Sequence, residues 1–232
     1  MITDFHSHIL PGIDDGSKEI VQSLAMLRQA AEQGIHRMVA TPHFYPHRDR
    51  PEAFLEARAE SWDQLRQAMD AGLPQIVLGA EVYFFRGISD SDFLKKLTIG
   101  ESECVMIEMP LPPWPEEFYR ELEAIRGKQG LTPVIAHVDR YIRPLRTFSI
   151  PERLEELPVL VQANASFFTG RATAAQAMKL LSRGQIQLLG SDCHDLDSRK
   201  PDLGAAIRRI EEKLGSSTLL KIENTQTTFF GF

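Results

Sequence analysis

Residues 4–16 read Asp4-Phe5-His6-Ser7-His8-Ile9-Leu10-Pro11-Gly12-Ile13-Asp14-Asp15-Gly16. The stretch opens on a short first strand, residues 2–5, that ends at His6 and His8. On an extended chain residues i and i+2 point to the same side, so both imidazoles can reach one ion. Taken alone, such a pair could equally be a solvated loop. Asp14-Asp15-Gly16 carries a turn signal, because Asp-Gly favours tight turns. A carboxylate on that loop can also reach whatever the two histidines hold.

Outward from this stretch one rhythm repeats: an apolar run, a metal-friendly residue, a helical pattern. Further strands are expected at residues 37–41, 75–80, 104–108, 133–136, 159–163 and 186–189. They end in turn at His43, Glu81, Glu108, His137, Asn164 and the run Ser191-Asp192-Cys193-His194. Ile20, Leu24, Leu27 and Ala31 follow helical spacing, with Ser17 as N-cap and Gly34 as stop. Helices are also expected at 52–69 after Pro51, 117–128, 174–181 and 203–214, and residues 219–223 as a short terminal strand or a packed tail. Parallel strands joined by helices follow from this alternation. The 232 residues suit one α/β barrel, and no linker or repeat divides them, so residues 1–232 are expected to form a single domain.

Six of the seven strands thus end on a residue able to bind metal, where parallel barrels carry their functional groups. Asp192-Cys193-His194 repeats the i, i+2 geometry with a carboxylate and an imidazole. Glu81 and Glu108 each follow an apolar run, Ile76-Val77-Leu78 and Val105-Met106-Ile107. A carboxylate there must be paired or metal-bound to offset its desolvation. His36 opens a strand at the opposite end, and His47 lies in the loop Tyr45-Pro46-His47-Arg48; neither is expected to be a ligand, though His47 could reach the rim. A catalytic zinc site uses about three protein ligands. Two or three divalent ions are therefore expected, and an imidazole and carboxylate set without thiolate suits Mn, Fe, Co or Zn.

The formal net charge is −6, and no Lys/Arg block provides a nucleic-acid footprint. Cys104 and Cys193 cannot make a disulfide framework, which points to a reducing cytoplasm. The N-terminus lacks signal-peptide features, and no apolar run approaches the ~18 residues of a membrane span. No membrane insertion is expected, and nothing speaks to oligomeric state.

Residues 4–16, with Thr132-Pro133-Val134-Ile135-Ala136-His137 and Ser191-Asp192-Cys193-His194-Asp195-Leu196-Asp197-Ser198-Arg199, resemble the PHP (polymerase and histidinol phosphatase) superfamily. More narrowly, the chain looks like the CpsB/YwqE-type bacterial protein-tyrosine phosphatases of capsule and exopolysaccharide systems, over nearly its whole length. The resemblance implies an α/β fold, a distorted seven-stranded (β/α) TIM-like barrel, with a trinuclear site. It implies His6, His8, Asp15, His43, Glu81, Glu108, His137, Asp192 and His194 as ligands, and points to manganese. It implies Arg140 and Arg199 as the groups that hold phosphate, and the phosphotyrosine tail of a bacterial tyrosine kinase as partner. Asp139 stands where Glu is usual, Cys193 where Met is usual, and Thr225 where Pro is usual; none is a ligand. The chemistry expected is in-line attack on phosphorus by hydroxide that bridging metals make available near neutral pH, with the general acid open between Asp139 and a metal-bound water.

Two other functions remain in view: a small-molecule phosphatase of the histidinol-phosphate type, and a non-catalytic metal-binding regulatory module. The intact ligand set and both arginines count against the second. Phe44, Tyr45, Trp114, Phe167 and Phe168 could wall a phenyl ring or pack as ordinary loop aromatics. Cys193 and Arg199 mimic the C-x5-R signature of cysteine-dependent tyrosine phosphatases. Asp195 and Asp197 would repel a phosphate in that loop, and no glycine lets its backbone wrap one. Cys193 is therefore expected to be an inert, buried thiol.

Overall fold

Most of the short strands bury both faces and the longer helices one stripe, so the chain winds its sheet into a closed layer with helices outside. The computed structural model describes residues 2–142 and 149–232. The strands are β1 (Thr3–Ser7), β2 (Arg37–Ala40), β3 (His43–Phe44), β4 (Gln75–Leu78), β5 (Glu81–Tyr83), β6 (Cys104–Glu108), β7 (Thr132–Ile135), β8 (Leu160–Asn164) and β9 (Leu188–Gly190). The helices are α1 (Ile20–Glu32), α2 (Pro51–Ala68), α3 (Glu116–Gln129), α4 (Ser149–Glu155), α5 (Ala165–Thr169), α6 (Ala174–Ser182), α7 (Leu203–Leu214) and α8 (Ser216–Phe230).

All strand pairs are parallel, in the orders β1-β2-β4 and β3-β5-β6-β7-β8-β9. β2 and β3 are one stave broken at Thr41-Pro42, where proline has no N–H to give the ladder. β4 and β5 are likewise one stave broken at Gly79-Ala80. Thr41 N donates to Ser7 O (2.9 Å), Gly79 N to Ala40 O (2.8 Å) and Glu81 N to Pro42 O (3.0 Å), which carries pairing across the breaks. The nine segments thus behave as the seven staves expected. A bridge between Ser7 and Cys193, with Asp192 N donating to His6 O and His8 N to Cys193 O, joins the last stave to the first.

The β1–β2 register slips: Asp4 pairs with Met38 but Ser7 with Ala40. The extra residue is a bulge, which changes the side to which following residues point. A regular strand would send Phe5 and His6 to opposite faces. Here Phe5 joins Val39, Met106, Val134 and Leu188 in one apolar cluster while His6 and His8 enter the polar centre above it. Asp4 Oδ1 secures the irregularity by accepting His6 N (3.2 Å) and Ser191 N (2.8 Å).

Two expectations need correction. Glu19, not Ser17, occupies the N-cap of α1, while Ser17 Oγ donates to Glu19 O (3.1 Å) and pairs with Ser23 Oγ (2.8 Å). Residues 219–223 are not a strand: they belong to the terminal helix α8, which packs on the barrel as the expected tail would. Ile222, Gln226 and Phe230 recur every fourth residue and form its buried face. Closure of β9 onto β1 leaves no sheet edge for another strand. Phe230 and Phe232 stack against Phe5, with ring centroids 4.7 and 6.0 Å away, and seal the barrel floor. Among the described residues no helix is long and apolar enough to cross a membrane.

Candidate metal centre

The strand ends and the loop after β1 bring all nine expected residues into one cluster around Glu81, which is 1% exposed. Glu81 Oε2 lies 3.2 Å from His6 Nε2, 3.3 Å from His8 Nε2 and 3.0 Å from His43 Nδ1. Glu81 Oε1 lies 2.7 Å from His137 Nε2. Glu108 stands 3.7 Å from His43 Nδ1 and 3.6 Å from His137 Nε2. Asp192 Oδ1 lies 3.5 Å from the Nε2 atoms of both His6 and His8. Asp15 reaches over from the opening loop, 3.5 Å from His43 Nε2 and 3.4 Å from His194 Nε2. Three groups have donor atoms within 4.8 Å of one another: His8-Asp15-His43-His194, His6-His8-Glu81 and His43-Glu81-Glu108. His137 and Asp192 border these groups.

The donor set fits divalent ions. The Nε2 atoms of His6 and His8 face each other at 3.1 Å, a spacing that ligands about 2.0–2.2 Å from a shared ion adopt. Buried His194 Nε2 has no hydrogen-bond partner among the described residues, and an unpaired buried polar atom is costly. His137 and Asp192 also carry positive φ, 33° and 55°. Such backbone persists where surrounding contacts over-determine it, commonly at functional sites.

The two adjacent acids divide their work. Asp15 is 64% exposed and offers its carboxylate to the cluster, whereas the Asp14 side chain is 3% exposed. Asp14 Oδ2 contacts His8 Nδ1 (2.7 Å) and accepts His43 N (3.0 Å); its Oδ1 accepts Gly16 N (2.9 Å). A Cβ at residue 16 would fall 2.2 Å from His8 O, so this loop closes only with glycine. Burial opposes charge on His8, yet the hydrogen bonds to Asp14 and Glu81 hold its pKa up to about 10. His194 goes the other way, down to about 4, through burial and the neighbouring His8 charge. Burial also works against the Asp192 carboxylate, but His6, His137 and His8 keep its pKa well below the usual range.

Arg140 and Arg199 converge on Asp192 from the rim. Arg140 Nη2 donates to Oδ2 (2.6 Å), Arg199 Nη2 to Oδ1 (2.7 Å), and both side chains are 36% exposed. Arg140 Nη1 also reaches Glu108 Oε1 (3.4 Å).

Other expectations part company here. Phe44, Phe167 and Phe168 are fully buried core residues, and Trp114 packs on Tyr141 with ring centroids 4.9 Å apart. Of the rim aromatics only Tyr45 borders the centre, stacked 5.1 Å from His43. Tyr83, overlooked in the sequence, lies 5.8 Å from Tyr45; its position two residues past Glu81 on one strand was the available signal. Asp139 is buried and its Oδ1 accepts Asn164 N (3.0 Å), the role of a backbone anchor. Cys193 is fully buried, and burial pushes its thiol well above the ordinary range. His36 and His47 are exposed and outside the cluster.

The family model described as capsular polysaccharide synthesis, CpsB/CapC, matches residues 2–229. The tyrosine-protein phosphatase YwqE of Bacillus subtilis is 29% identical over 225 residues, covering 92% of this chain and 85% of the relative. The tyrosine-protein phosphatase CpsB of Streptococcus pneumoniae is 29% identical over 229 residues, covering 92% and 91%. A crystal structure from work on those two metal-dependent tyrosine phosphatases superposes with a TM-score of 0.83 at 24% identity, covering 97% of this chain and 93% of the other. A putative histidinol phosphatase from Listeria monocytogenes shares the fold more distantly, with a TM-score of 0.53 at 14% identity, covering 83% and 95%. With a parallel barrel, a cluster of histidines and carboxylates at its strand ends and a family match over almost every residue, the chain belongs to the CpsB/CapC family of capsular polysaccharide synthesis.

Proposed function

We propose that this chain is a metal-dependent protein-tyrosine phosphatase, with His6, His8, Asp15, His43, Glu81, Glu108, His137, Asp192 and His194 holding two to three divalent ions, manganese foremost. The observation that carries the reading is the contact of one buried carboxylate, Glu81, with four imidazoles, beside two arginines that meet at Asp192. Bound divalent ions supply Lewis acidity and an activated water at neutral pH. Arg140 and Arg199 offer forked donors to the non-bridging phosphate oxygens and orient the ester. Tyr45 and Tyr83 offer aromatic surface for a phenyl ring next to His43. A phenol, with pKa about 10, leaves with less acid assistance than an alkoxide, so the anchoring of Asp139 on β8 is compatible with this substrate. The activities named for the two relatives support a phosphotyrosine protein as substrate; the tail of a bacterial tyrosine kinase is the partner that the family resemblance implies. Two free, buried cysteines suit a reducing cytoplasm.

The test compares kcat/KM on a phosphotyrosine peptide, a phosphoserine peptide and histidinol phosphate with Mn2+ present. Phosphotyrosine should be strongly preferred; a preference for histidinol phosphate overturns the assignment. Elemental analysis should find two to three ions per chain, and a fully active protein with one or fewer overturns the cluster.

A further inference from the structure

Among the seven staves, β8 alone ends without a candidate ligand. Its side chains at the centre are amides: Gln162, fully buried, and Asn164, 7% exposed. Gln162 Oε1 lies 2.6 Å from His137 N and 3.2 Å from His6 Nδ1. Gln162 Nε2 donates to Asn164 Oδ1 at 3.1 Å, and Asn164 Nδ2 donates to Asp192 Oδ2 at 3.0 Å.

These contacts admit one arrangement of protons. A backbone N–H only donates, so the Gln162 atom facing His137 N is its oxygen. That oxygen only accepts, so His6 Nδ1 carries a proton. A neutral His6 then presents a bare Nε2, the atom that faces Glu81 and His8. The Gln162 NH2 only donates, which makes Asn164 Oδ1 an acceptor and turns the Asn164 NH2 toward the Asp192 carboxylate. Each link is directional, and the series starts from a group that cannot flip. The left-handed turn at His137 presents that starting N–H. Gly190 makes the room: a Cβ there would lie 2.6 Å from His6 Cβ and 2.8 Å from Gln162 Nε2.

We propose that Gln162 and Asn164 are positioning residues of the metal centre: β8 gives no ligand, but a two-amide relay that fixes the His6 tautomer and orients Asp192. The proposal rests on the reading of His6 and Asp192 as ligands. Partners of this kind around metal-bound histidine typically change metal affinity by roughly 10–100-fold.

The experiment uses the full chain, stripped by a chelator and reloaded. In the Zn2+-loaded wild type with 15N-labelled histidine, the His6 signals (identified by their loss in His6→Gln) should show a protonated Nδ1 and a metal-bound Nε2. Gln162→Leu, which removes both arms, should bind Mn2+ roughly 10–100-fold more weakly. Gln162→Glu keeps the oxygen that accepts from His6 Nδ1 but loses the donor to Asn164 Oδ1, so it should recover only part of that loss, a partial rescue that filling space alone does not predict. Asn164→Asp sets a carboxylate against Asp192 and should also weaken binding. Coordination of His6 through Nδ1 in the wild type overturns the relay without any variant at β8. Mn2+ binding by Gln162→Leu as tight as by the wild type overturns it as well. A wild-type chain that takes up no metal overturns the metal centre itself, a different failure from an unaffected variant.

Discussion

Single side chains at this centre are separated by geometry more than by type. Asp14 and Asp15 are neighbours of one chemistry, yet one is buried behind His8 and the other reaches out over His43 and His194. Arg140 and Arg199 have the exposure and convergence of phosphate donors. Arg140→Ala and Arg199→Ala should retain metal by elemental analysis while kcat/KM falls on the order of 10²-fold or more. His137→Ala should instead lose metal, and a fully active Arg199→Ala would remove that residue from the phosphate site. Cys193 sits between two candidate ligands but packs in the apolar core, with its backbone N–H on Ser191 Oγ (3.3 Å). Cys193→Ser should keep most of its activity, and iodoacetamide should inhibit little where chelators inhibit fully. Loss of rate in Cys193→Ser with metal content unchanged would restore a thiol mechanism.

Most elements follow from apolar runs and their periods; the β1 bulge and α8 are two departures, beside the short helices α4 and α5, which no such run announced. The β1 bulge inserts one residue where Phe5 gives way to His6, so floor and mouth are lined from one short strand. α8 takes the place of the expected short terminal strand or packed tail, and it is helical because its buried residues recur every fourth position and the sheet has closed. Its last turn delivers Phe230, 9% exposed, to the barrel floor against Phe5. Phe230→Ala removes a ring from a packed site and should cost about 3 kcal/mol. For a chain of this length that is a fall in Tm of roughly 10 °C. Phe230 is not among the candidate ligands, so thermal melts should show the loss while metal content stays intact. A variant that melts as the wild type does would show that α8 only covers the barrel without supporting it.

At the scale of the whole molecule, fold stability and metal uptake share one set of protons. The protein groups hold His8 protonated up to about 10, against 6.5 ordinarily. That interaction stabilises a chelator-stripped protein fully below about 6.5 and is lost as pH climbs toward 10. A histidine ligand must be neutral, so on the proposed ligand set uptake near pH 7 expels the His8 proton, whereas His194, held down to about 4, is already neutral. Mn2+ affinity should therefore rise with pH between about 6 and 9. Calorimetric titration in two buffers of different ionisation enthalpy should detect proton release at pH 7; zero release would contradict the His8 assignment.

The sequence by itself determined which residue types end each stave. A parallel barrel brings those ends to one mouth, so local runs and their last residues were enough to nominate the cluster. Eight of the nine positions needed no knowledge of distance, only of strand direction; Asp15, on the loop after β1, was singled out from Asp14 only by the family resemblance. Tertiary structure alone decided what surrounds them. Gln162 meets His6 across 156 residues of sequence, Asp139 turns to the backbone of Asn164, and four of the five suspected wall aromatics sink into the core. No local period marks such contacts, because burial and hydrogen-bond partners are set by which strands become neighbours when the sheet closes.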